Sequence, residues 1–193
     1  GQKVMNAMWG AGQMMFNKIL VLADEHVKIQ DYEELARYAF RNMDVINDIT
    51  ISTGPMDVLD HSCSKLGFGG KMAIDATTKF NEETDDVNHL SVQPVQLPAA
   101  FSEKFKSVLK INLRLLQKRI PCLVVSVKKE KAGHVRELHE EICAFAEVEG
   151  IKMILYVEHT VDADDLGVGL WRLCNNMVPK RDSFEAQSTF AKK

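Results

Sequence analysis

The sequence predicts an α/β protein with a three-layer α/β/α arrangement, in which helices cover both faces of a largely parallel sheet. Short apolar runs rich in β-branched residues alternate with longer segments that carry apolar residues at helical spacing, and this alternation is typical of parallel sheets. With 193 residues, 46% of them apolar, the chain is long enough to bury a core. An internal repeat indicates that the sheet is built from two related strand-helix units.

Composition argues against two classes of protein. The 24 basic and 27 acidic side chains are interspersed, whereas a nucleic-acid-binding surface requires clustered Lys and Arg. The longest apolar runs, such as residues 19–23, are far shorter than the ~20 residues that span a bilayer. The four cysteines form no CxxC pair and the sequence opens without a secretory signal, which favours a cytoplasmic location.

The first strand-helix unit is predicted within residues 1–80. Within residues 18–23 the run 19–23 is continuously apolar, as expected of a strand buried on both faces. The helix that follows begins with acidic residues, which suit the positive end of its dipole. Gly67-Phe68-Gly69-Gly70 predicts a turn that leads into the last strand. In chain order, the predicted elements are a helix over 4–16, a strand over 18–23, a helix over 30–43, and strands over 49–52 and 71–76.

Residues 81–100 are predicted to connect this unit to a second one, because they are polar and contain Pro94 and Pro98. The second strand-helix unit occupies residues 101–193 of the same α/β domain. Strands and helices alternate here too, which supports a largely parallel sheet. The predicted elements are a helix over 101–116, a strand over 122–127, a helix over 135–146, a strand over 151–157 and a helix over 164–177.

An internal repeat connects the two units. A shift of 134 residues aligns residues 19–48 with residues 153–182 without a gap, and strand, acidic loop and helix then fall in register. Five aligned residues are identical, where average composition gives roughly two. The identical pairs are Val27 and Val161, Asp31 and Asp165, Asn42 and Asn176, Met43 and Met177, and Asp48 and Asp182. We therefore infer two copies of one strand-helix unit.

The glycine-rich segment before the last strand of the first unit is a candidate anion site. Gly67, Gly69 and Gly70 precede Lys71, so backbone amides and an ammonium could approach a phosphate together. The segment is not a Walker A loop, because the GxxxxGK[ST] spacing and the following helix are missing. The alternative is a tight glycine turn without a ligand, and the pattern by itself favours that alternative.

Two carboxylates and a histidine lie close together in the loop that follows Gly54-Pro55. Asp57, Asp60 and His61 could share one face of a short helix and serve proton transfer or metal binding. The alternative is a turn in which the carboxylates cap backbone amides and the histidine lies at the surface. The pattern favours the turn.

Acidic residues and histidines also follow two of the predicted strands. Asp24, Glu25 and His26 come after the first strand, and Glu158 and His159 come after its repeat, at the edge where open α/β sheets bind ligands. Because neither HExxH spacing nor a third ligand is nearby, solvated loop charges are the favoured interpretation. A GxSxG nucleophile elbow and a GxGxxG dinucleotide motif are missing as well. The residues by themselves therefore identify no catalytic site and no metal site.

Several segments of the first unit belong to one known pattern. They are VMNAMWG at residues 4–10, DEHV at 24–27 with Asp31, GPMDVLDH at 54–61 and GKMAIDAT at 70–77. Together they resemble the carboxy-terminal domain of the UbiD-type decarboxylases, most closely the branch that acts in menaquinone biosynthesis. The resemblance covers residues 2–80 with specific motifs and reaches the second unit only through its repeat residues.

The resemblance implies a prenylated flavin mononucleotide cofactor, held with a divalent metal and a monovalent cation in the full-length enzyme. It also implies an aromatic acid substrate, which loses its carboxylate in ubiquinone or menaquinone biosynthesis. The family's catalytic acids, arginine and metal ligands lie in a preceding flavin-binding domain, so none of them is placed on this chain. Lys71, with Gly69 and Gly70, resembles the lysine that family members extend toward the cofactor phosphate.

On this hypothesis the chain is the assembly domain of a carboxy-lyase, inactive and without bound cofactor when isolated. Its expected partners are the upstream flavin-binding domain and further copies of itself in a dimer or hexamer. A cytoplasmic location could include a position at the membrane periphery. One rival hypothesis is a stand-alone α/β oligomerisation or ligand-binding module, and a third is a metal-dependent enzyme that uses Asp57, Asp60 and His61.

Overall fold

The computed structural model describes residues 1–80, 82 and 95–186, and these form strands and helices of an α/β protein, as predicted. No helix in this part of the chain combines the length and apolar composition needed to cross a bilayer. The strands are β1 (Ile19–Leu22), β2 (Ile49–Pro55), β3 (Phe68–Asp75), β4 (Val108–Asn112), β5 (Cys122–Val127) and β6 (Met153–Glu158). The helices are α1 (Gln2–Gly10), α2 (Tyr32–Asn42), α3 (Arg114–Gln117), α4 (His134–Cys143), α5 (Leu166–Asn176) and α6 (Pro179–Asp182).

The first sheet has the order β1-β3-β2, with β3 parallel to β1 and antiparallel to β2. Leu20 of β1 pairs with Ala73 of β3, and both are buried in one cluster with Met5 of α1. Met8 and Trp9 of the same helix pack beside this cluster. Burial of these apolar side chains, at roughly 25 cal/mol per Å², holds α1 on the sheet.

The second sheet has the order β4-β5-β6, again with a central strand that is parallel to one neighbour and antiparallel to the other. Every residue of β5 is buried, including Ser126, which explains the apolar run over residues 122–125. Leu138 and Ile142 of α4 belong to the same core. Three aromatic rings complete it in edge-to-face contacts, those of Phe101, Phe105 and Phe145.

The chain forms two compact units. The first contains Gly1–His89 and Cys174–Ser183, and the second contains Leu90–Leu173 and Phe184–Lys193. Helix α6 accordingly packs on β3 and β2 of the first sheet. The predicted division at residues 81–100 did not include this return of the chain, and most of that connecting segment lies outside the described residues.

The prediction of a largely parallel sheet is not confirmed, because each of the two sheets contains one antiparallel pair. The three-layer arrangement is not confirmed either. Parallel neighbours need a crossover connection of a dozen or more residues, usually a helix. Between β4 and β5 the chain has only the four-residue helix α3, so these two strands run antiparallel.

The helix predicted over residues 101–116 is wrong. This segment contains a 3₁₀ turn at Ala99–Lys104, strand β4 and helix α3. Phe101, Phe105 and Val108 lie four and three residues apart, which is a helical spacing, but they are buried in the second core from different local structures. Pairing of β4 with the fully buried β5 outweighed the local periodicity.

Two boundaries in the first unit also differ from the predicted ones. The helix predicted over 4–16 ends at Gly10, and a 3₁₀ turn at Gln13–Phe16 follows it. Strand β3 begins at Phe68, so Gly69 and Gly70 are strand residues and not part of a turn before the strand. The remaining elements are confirmed within a few residues, namely the helices over 30–43, 135–146 and 164–177 and the strands over 18–23, 49–52, 122–127 and 151–157.

The internal repeat is confirmed at the level of helix boundaries. Helices α2 and α5 begin and end 134 residues apart. At the start of α2 the Asp31 carboxylate accepts a hydrogen bond from the Glu34 backbone N–H at 3.0 Å. At the start of α5 the Asp165 carboxylate accepts from the Val168 N–H at the same distance, 3.0 Å. The identical aspartates of the repeat are therefore equivalent helix N-caps.

A second pair of equivalent turns follows the two helices. The Asp44 backbone N–H donates to the Asp48 carboxylate at 2.7 Å, and the Val178 N–H donates to the Asp182 carboxylate at 2.7 Å. In both units the strand before the repeated helix pairs parallel with the central strand of its sheet. In the first unit the antiparallel strands β2 and β3 come after the repeated helix α2. In the second unit the antiparallel strands β4 and β5 come before the repeated helix α5. The two units thus share a plan with a permuted order of elements.

Candidate functional site

Gly69 and Gly70 lie in the middle of a tightly packed region of β3. They pair with Gly54 and Thr53 of β2. A Cβ atom on Gly69 would lie 2.3 Å from the Cys63 Sγ, and one on Gly70 would lie 2.8 Å from a backbone nitrogen of α6. These glycines are required because neighbouring segments approach the strand too closely for a side chain.

Lys71, the next residue of β3, is buried with only 2% of its surface exposed. Its ammonium donates to the carbonyl oxygens of Met15 at 2.6 Å and Asn17 at 2.7 Å. The ring of Trp9 lies 5.5 Å from the same nitrogen. Burial lowers the pKa of Lys71, because the charged form loses its hydration. The side chain fixes the 3₁₀ turn between α1 and β1 to the sheet.

This geometry differs from the open anion site that the glycine pattern suggested. Two of the three N–H donors of the Lys71 ammonium are taken by carbonyl oxygens. The space above Gly69 and Gly70 is filled by Cys63 and α6. As placed here, the three residues do not form a cradle for a phosphate, and the contact of Lys71 with a cofactor phosphate stays a prediction.

Asp60 belongs to a charged cluster with Lys18 and Ser62. The Lys18 ammonium lies 2.7 Å from the Asp60 carboxylate and donates to the Ser62 hydroxyl at 2.9 Å and to the Cys174 carbonyl oxygen at 2.8 Å. Burial raises the pKa of Asp60, but the hydrogen bonds from Lys18 and Ser62 outweigh burial and leave that pKa below its ordinary value. The cluster joins the loop after β2 to the last turn of α5.

The other members of the predicted Asp-His group do not join Asp60. Asp57 accepts a hydrogen bond from the Leu59 N–H at 2.9 Å, as a turn-capping residue does. His61 is exposed. Within the described residues, no three His, Cys, Asp or Glu side chains form a group that could hold a metal ion. The structure therefore agrees with the turn interpretation, and it adds an ion pair that the local sequence did not reveal.

The acidic residue after β1 is also bound by its own chain. The Asp24 carboxylate accepts hydrogen bonds from the Tyr38 hydroxyl and from the Thr78 N–H. The hydrogen bond from Tyr38 is the main reason that the pKa of Asp24 is lowered. His26 meets the Tyr38 ring edge to face at 5.5 Å. Asp24 thus ties the loop after β1 to α2 and to the exit of β3.

The equivalent edge of the second unit is simpler. There Glu158 accepts a hydrogen bond from its neighbour His159, and both side chains are exposed. The hydrogen bond from His159 lowers the pKa of Glu158. This agrees with the expectation of solvated loop charges for the second unit, whereas Asp24 of the first unit departs from it.

A cavity of about 190 Å³ lies beside the carboxyl ends of β1 and β3. The Lys79 ammonium at its wall lies 3.2 Å from the Asp48 carboxylate and 3.5 Å from that of Asp75. It also donates to the backbone carbonyl oxygens of Asp75 and Thr77. These contacts hold the end of β3 to the start of β2. The cation is therefore engaged by oxygens of its own chain.

Sequence reasoning assigned no role to a cluster in the second unit. The His139 Nδ1 lies 2.9 Å from the Tyr156 hydroxyl, and the Cys143 Sγ lies 3.8 and 3.7 Å from the two ring nitrogens. A sulfur nearly equidistant from both nitrogens is not aligned with either lone pair. Burial lowers the pKa of His139 and raises the pKa of Tyr156 and of Cys143. These shifts favour the uncharged form of each group at neutral pH, and a raised thiol pKa is the opposite of what activates a thiolate.

The strands and helices of the described residues define the class of this protein as an α/β domain. The chain matches the 3-octaprenyl-4-hydroxybenzoate carboxy-lyase C-terminal domain over residues 1–76 and 93–189. It therefore belongs to that family, the UbiD carboxy-terminal domains. The resemblance of the first unit to the UbiD carboxy-terminal domain is confirmed, and the match extends it through the second unit.

Proteins related to the chain are longer than the chain itself. A Helicobacter pylori protein is 31% identical over 191 residues, which are 98% of this chain and 30% of that protein. An Aquifex aeolicus protein is 46% identical over 81 residues, which are 42% of this chain and 17% of that protein. The chain thus spans less than a third of the length of these relatives.

Solved structures of two decarboxylases show partial similarity. The vanillic acid decarboxylase of Sedimentibacter hydroxybenzoicus in open form is 25% identical with a TM-score of 0.42, covering 53% of this chain and 22% of its own. The UbiD-class enzyme HmfF from Pelotomaculum thermopropionicum, solved in complex with FMN, is 26% identical with a TM-score of 0.35, covering 53% and 22%. With TM-scores this low, the structures cannot be compared residue by residue with this chain.

Proposed function

We propose that the chain is the carboxy-terminal assembly domain of a UbiD-type decarboxylase, and that a preceding flavin-binding domain of the same protein supplies the reacting groups. The observation that carries this proposal is the family match over residues 1–76 and 93–189. A relative of which this chain spans 30% has ample length for such a second domain. In this proposal the carboxy-terminal domain contributes contacts between parts of the enzyme.

The site geometry supports an architectural role. The carboxylates of Asp24 and Asp60 and the ammonium of Lys71 are all bound by groups of their own chain. A general acid or base must instead be able to reach a substrate within hydrogen-bond distance. The raised pKa of Cys143 is opposite to that of an activated nucleophile. The polar groups hold loops and strand ends in place.

The proposed cofactor of the complete enzyme is prenylated flavin mononucleotide, with a divalent metal and a monovalent cation, bound by the upstream domain. When bound, such a cofactor serves as the electron sink for the carbon that loses its carboxylate. The carboxylate leaves as CO₂ and a proton takes its place. The proposed substrate is an aromatic acid of quinone biosynthesis, either a prenylated 4-hydroxybenzoate or a naphthoate.

The proposed enzyme is a cytoplasmic homo-oligomer, a dimer or a hexamer, that acts on its substrate in solution or at the membrane periphery. A contact of Lys71, Gly69 and Gly70 with the cofactor phosphate is part of the proposal. Met15 and Asn17 accept two of the three N–H groups of the Lys71 ammonium, and in this proposal the third donates to a phosphate oxygen.

The experiment that tests this function compares two proteins, each expressed together with a flavin prenyltransferase. One is encoded by the complete reading frame, and the other is the 193-residue chain. We expect the longer protein to show a flavin absorption band and to release CO₂ from a prenylated 4-hydroxybenzoate or a naphthoate. We expect the 193-residue chain to do neither. If the longer protein has no flavin band and releases no CO₂, the decarboxylase proposal is overturned and a stand-alone α/β module becomes the better hypothesis.

A further inference from the structure

Three lysines of the first unit are largely buried, and they differ in their counter-ions. The Lys18 ammonium lies 2.7 Å from the Asp60 carboxylate, and the Lys79 ammonium lies 3.2 Å from the Asp48 carboxylate. Lys71 is the most deeply buried of the three, with 2% of its surface exposed. Within the described residues, however, no carboxylate forms an ion pair with Lys71. A buried charge without an opposite charge is costly to the fold, so Lys71 lacks the kind of partner that the other two lysines have.

The acceptors that Lys71 does have are neutral. Its ammonium donates to the carbonyl oxygens of Met15 and Asn17, and an ammonium has three N–H groups. In the part of the chain that the structure describes, the third N–H has no acceptor. Burial lowers the pKa of Lys71, which is the direction expected when no carboxylate favours the charged form. Lys71 therefore has one unused N–H donor and an uncompensated positive charge.

A second donor without an acceptor lies beside Lys71. The Trp9 indole Nε1 is buried, and it has no hydrogen-bond partner among the described residues. The Lys71 ammonium lies 5.5 Å from the Trp9 ring. Buried N–H groups in folded proteins nearly always have an acceptor, and an exception indicates a partner or ligand that the described chain does not supply. Two neighbouring donors, one of them charged, suit an oxyanion that offers at least two oxygens.

We propose that Lys71 and Trp9 form a two-donor site for a phosphate group, with the ammonium and the indole N–H donating to different oxygens of one phosphate. The phosphate would supply the missing counter-ion of Lys71 and the missing acceptor of Trp9 together. Hydrogen bonds to a charged acceptor are shorter and stronger than those to a neutral one. This inference rests on the proposed function, in which Lys71 contacts the cofactor phosphate, and it adds Trp9 as a second phosphate-binding residue.

The segment between the two donors provides a route for the phosphate. Residues 10–14 are exposed and connect Trp9 to Met15, one of the carbonyl acceptors of the ammonium. A Cβ atom at Gly10 or at Gly12 would meet nothing within 4 Å, so the segment is loosely packed at both glycines. In the proposal an outward shift of this segment uncovers the two donors. The carbonyl acceptors lie after the segment and stay in place.

Flavin binding by the complete enzyme tests the role of Trp9. The apoprotein from the complete reading frame is titrated with FMN and with riboflavin, which lacks the phosphate. Trp9→Phe keeps an aromatic ring beside Lys71 and removes the N–H. We expect it to raise the FMN dissociation constant about tenfold, as for a lost hydrogen bond to a charged group, and to change that of riboflavin less than about twofold. The matched control is Trp171→Phe, at an exposed tryptophan of the second unit, which should change neither constant by more than about twofold.

Inorganic phosphate tests the site in the 193-residue chain. The chain has two tryptophans and therefore two indole N–H signals in a nuclear magnetic resonance spectrum, and Trp171→Phe identifies the signal of Trp9. Titration with phosphate at constant ionic strength should shift the Trp9 signal in a saturable way and leave that of Trp171 in place. Lys71→Met should abolish the shift. Far-UV circular dichroism checks the folding of every variant.

The outcomes separate this inference from the proposed function. If the complete enzyme binds FMN and Trp9→Phe leaves its dissociation constant unchanged, the role of Trp9 at the cofactor phosphate is overturned and the decarboxylase proposal stands. If the Trp9 signal also fails to respond to inorganic phosphate, the two-donor site itself is overturned. A tenfold effect on FMN without a response to inorganic phosphate assigns the site to the cofactor alone. If the complete enzyme binds no flavin but the Trp9 signal shifts with phosphate, the decarboxylase proposal fails and the site is one for free phosphate.

Discussion

The Lys18 ammonium lies 2.7 Å from the Asp60 carboxylate, and the two side chains are only 12% and 10% exposed. The same ammonium donates to the Cys174 carbonyl oxygen at the end of α5. This largely buried ammonium therefore contacts two segments that lie 42 and 156 residues later in the sequence. Because little water reaches this ion pair, water cannot replace either side chain as a hydrogen-bond partner when the other is removed.

Lys18→Met should lower the free energy of unfolding by about 1–3 kcal/mol, since it leaves the Asp60 carboxylate and the Cys174 carbonyl without their donor. The matched control is Arg37→Met. Its partner is Glu33, and that pair is 42% and 38% exposed, so we expect a loss of about 0.2–0.5 kcal/mol. Urea unfolding measures both values, and equal losses would contradict the importance of the Lys18 cluster.

The first unit should lose stability in acid through Asp60. Burial raises its pKa, but the hydrogen bonds from Lys18 and Ser62 hold the pKa in the folded protein below the ordinary 3.8. The carboxylate therefore stabilises the fold at every pH above the unfolded pKa, and this contribution is lost as the pH falls through the lower folded pKa. Wild type should exceed Asp60→Asn in stability at pH 7, and the difference should shrink below about pH 4. A constant difference down to pH 2 would refute this linkage.

Lys71→Met should lower the free energy of unfolding by about 1–3 kcal/mol, because the Met15 and Asn17 carbonyls lose a donor inside the fold. The protein has two tryptophans, so a Trp171→Phe background leaves Trp9 as the reporter. Its emission should shift when the ammonium 5.5 Å away is removed. Lys65→Met, at an exposed position, is the control and should leave the spectrum unchanged.

The same variant tests the predicted phosphate contact in the complete enzyme. If Lys71 binds the cofactor phosphate, Lys71→Met should weaken flavin binding about tenfold or more, as expected for the loss of one charge-assisted hydrogen bond. Unchanged flavin affinity, together with the shift in Trp9 emission, would assign Lys71 a purely structural role.

Gly70→Ala should displace α6. The new methyl group would lie 2.8 Å from the Lys180 backbone nitrogen, so either the strand or the helix has to move, at a cost of about 1–3 kcal/mol. Gly10→Ala is the control, since a Cβ there meets nothing within 4 Å, and we expect a change within about 0.5 kcal/mol. Thermal unfolding of the two variants tests this, and similar melting temperatures would argue against close packing at Gly70.

The two N-cap aspartates should contribute equally. Asp31→Ala and Asp165→Ala each remove a 3.0 Å hydrogen bond at the start of a repeated helix, so each should cost about 1 kcal/mol. Chemical denaturation provides the two values. A several-fold difference between them would show that the repeat conserves backbone geometry without conserving its energetics.

Local signals explain what could be predicted from sequence. Asp31 and Asp165 begin helices whose bounds follow from short-range capping and apolar periodicity, and the alignment at 134 residues located both. The segment around Phe105 was wrongly predicted as a helix, because its apparent helical period arises from side chains that enter one core from different elements. The direction of neighbouring strands could not be predicted from local patterns either, since strand pairing depends on residues far apart in the chain.

The candidate site was predictable only in part. The turn at Asp57 was foreseen, since an Asx turn depends on residues two positions apart. The partners of Lys71 are carbonyl oxygens 56 and 54 residues earlier, and no local pattern indicates such contacts. Likewise, the need for glycine at position 70 comes from α6, more than a hundred residues later.

The return of α6 to the first sheet has a consequence for synthesis on the ribosome. Chains are made from the amino terminus and domains usually fold as they emerge, but Cys174–Ser183 belongs to the same compact unit as Gly1. Until those last residues emerge, Lys18 lacks one of its acceptors and β3 lacks the cover above Gly70. The first unit therefore begins to emerge before the second, yet it cannot reach all of its native contacts until residues 174–183 have been made.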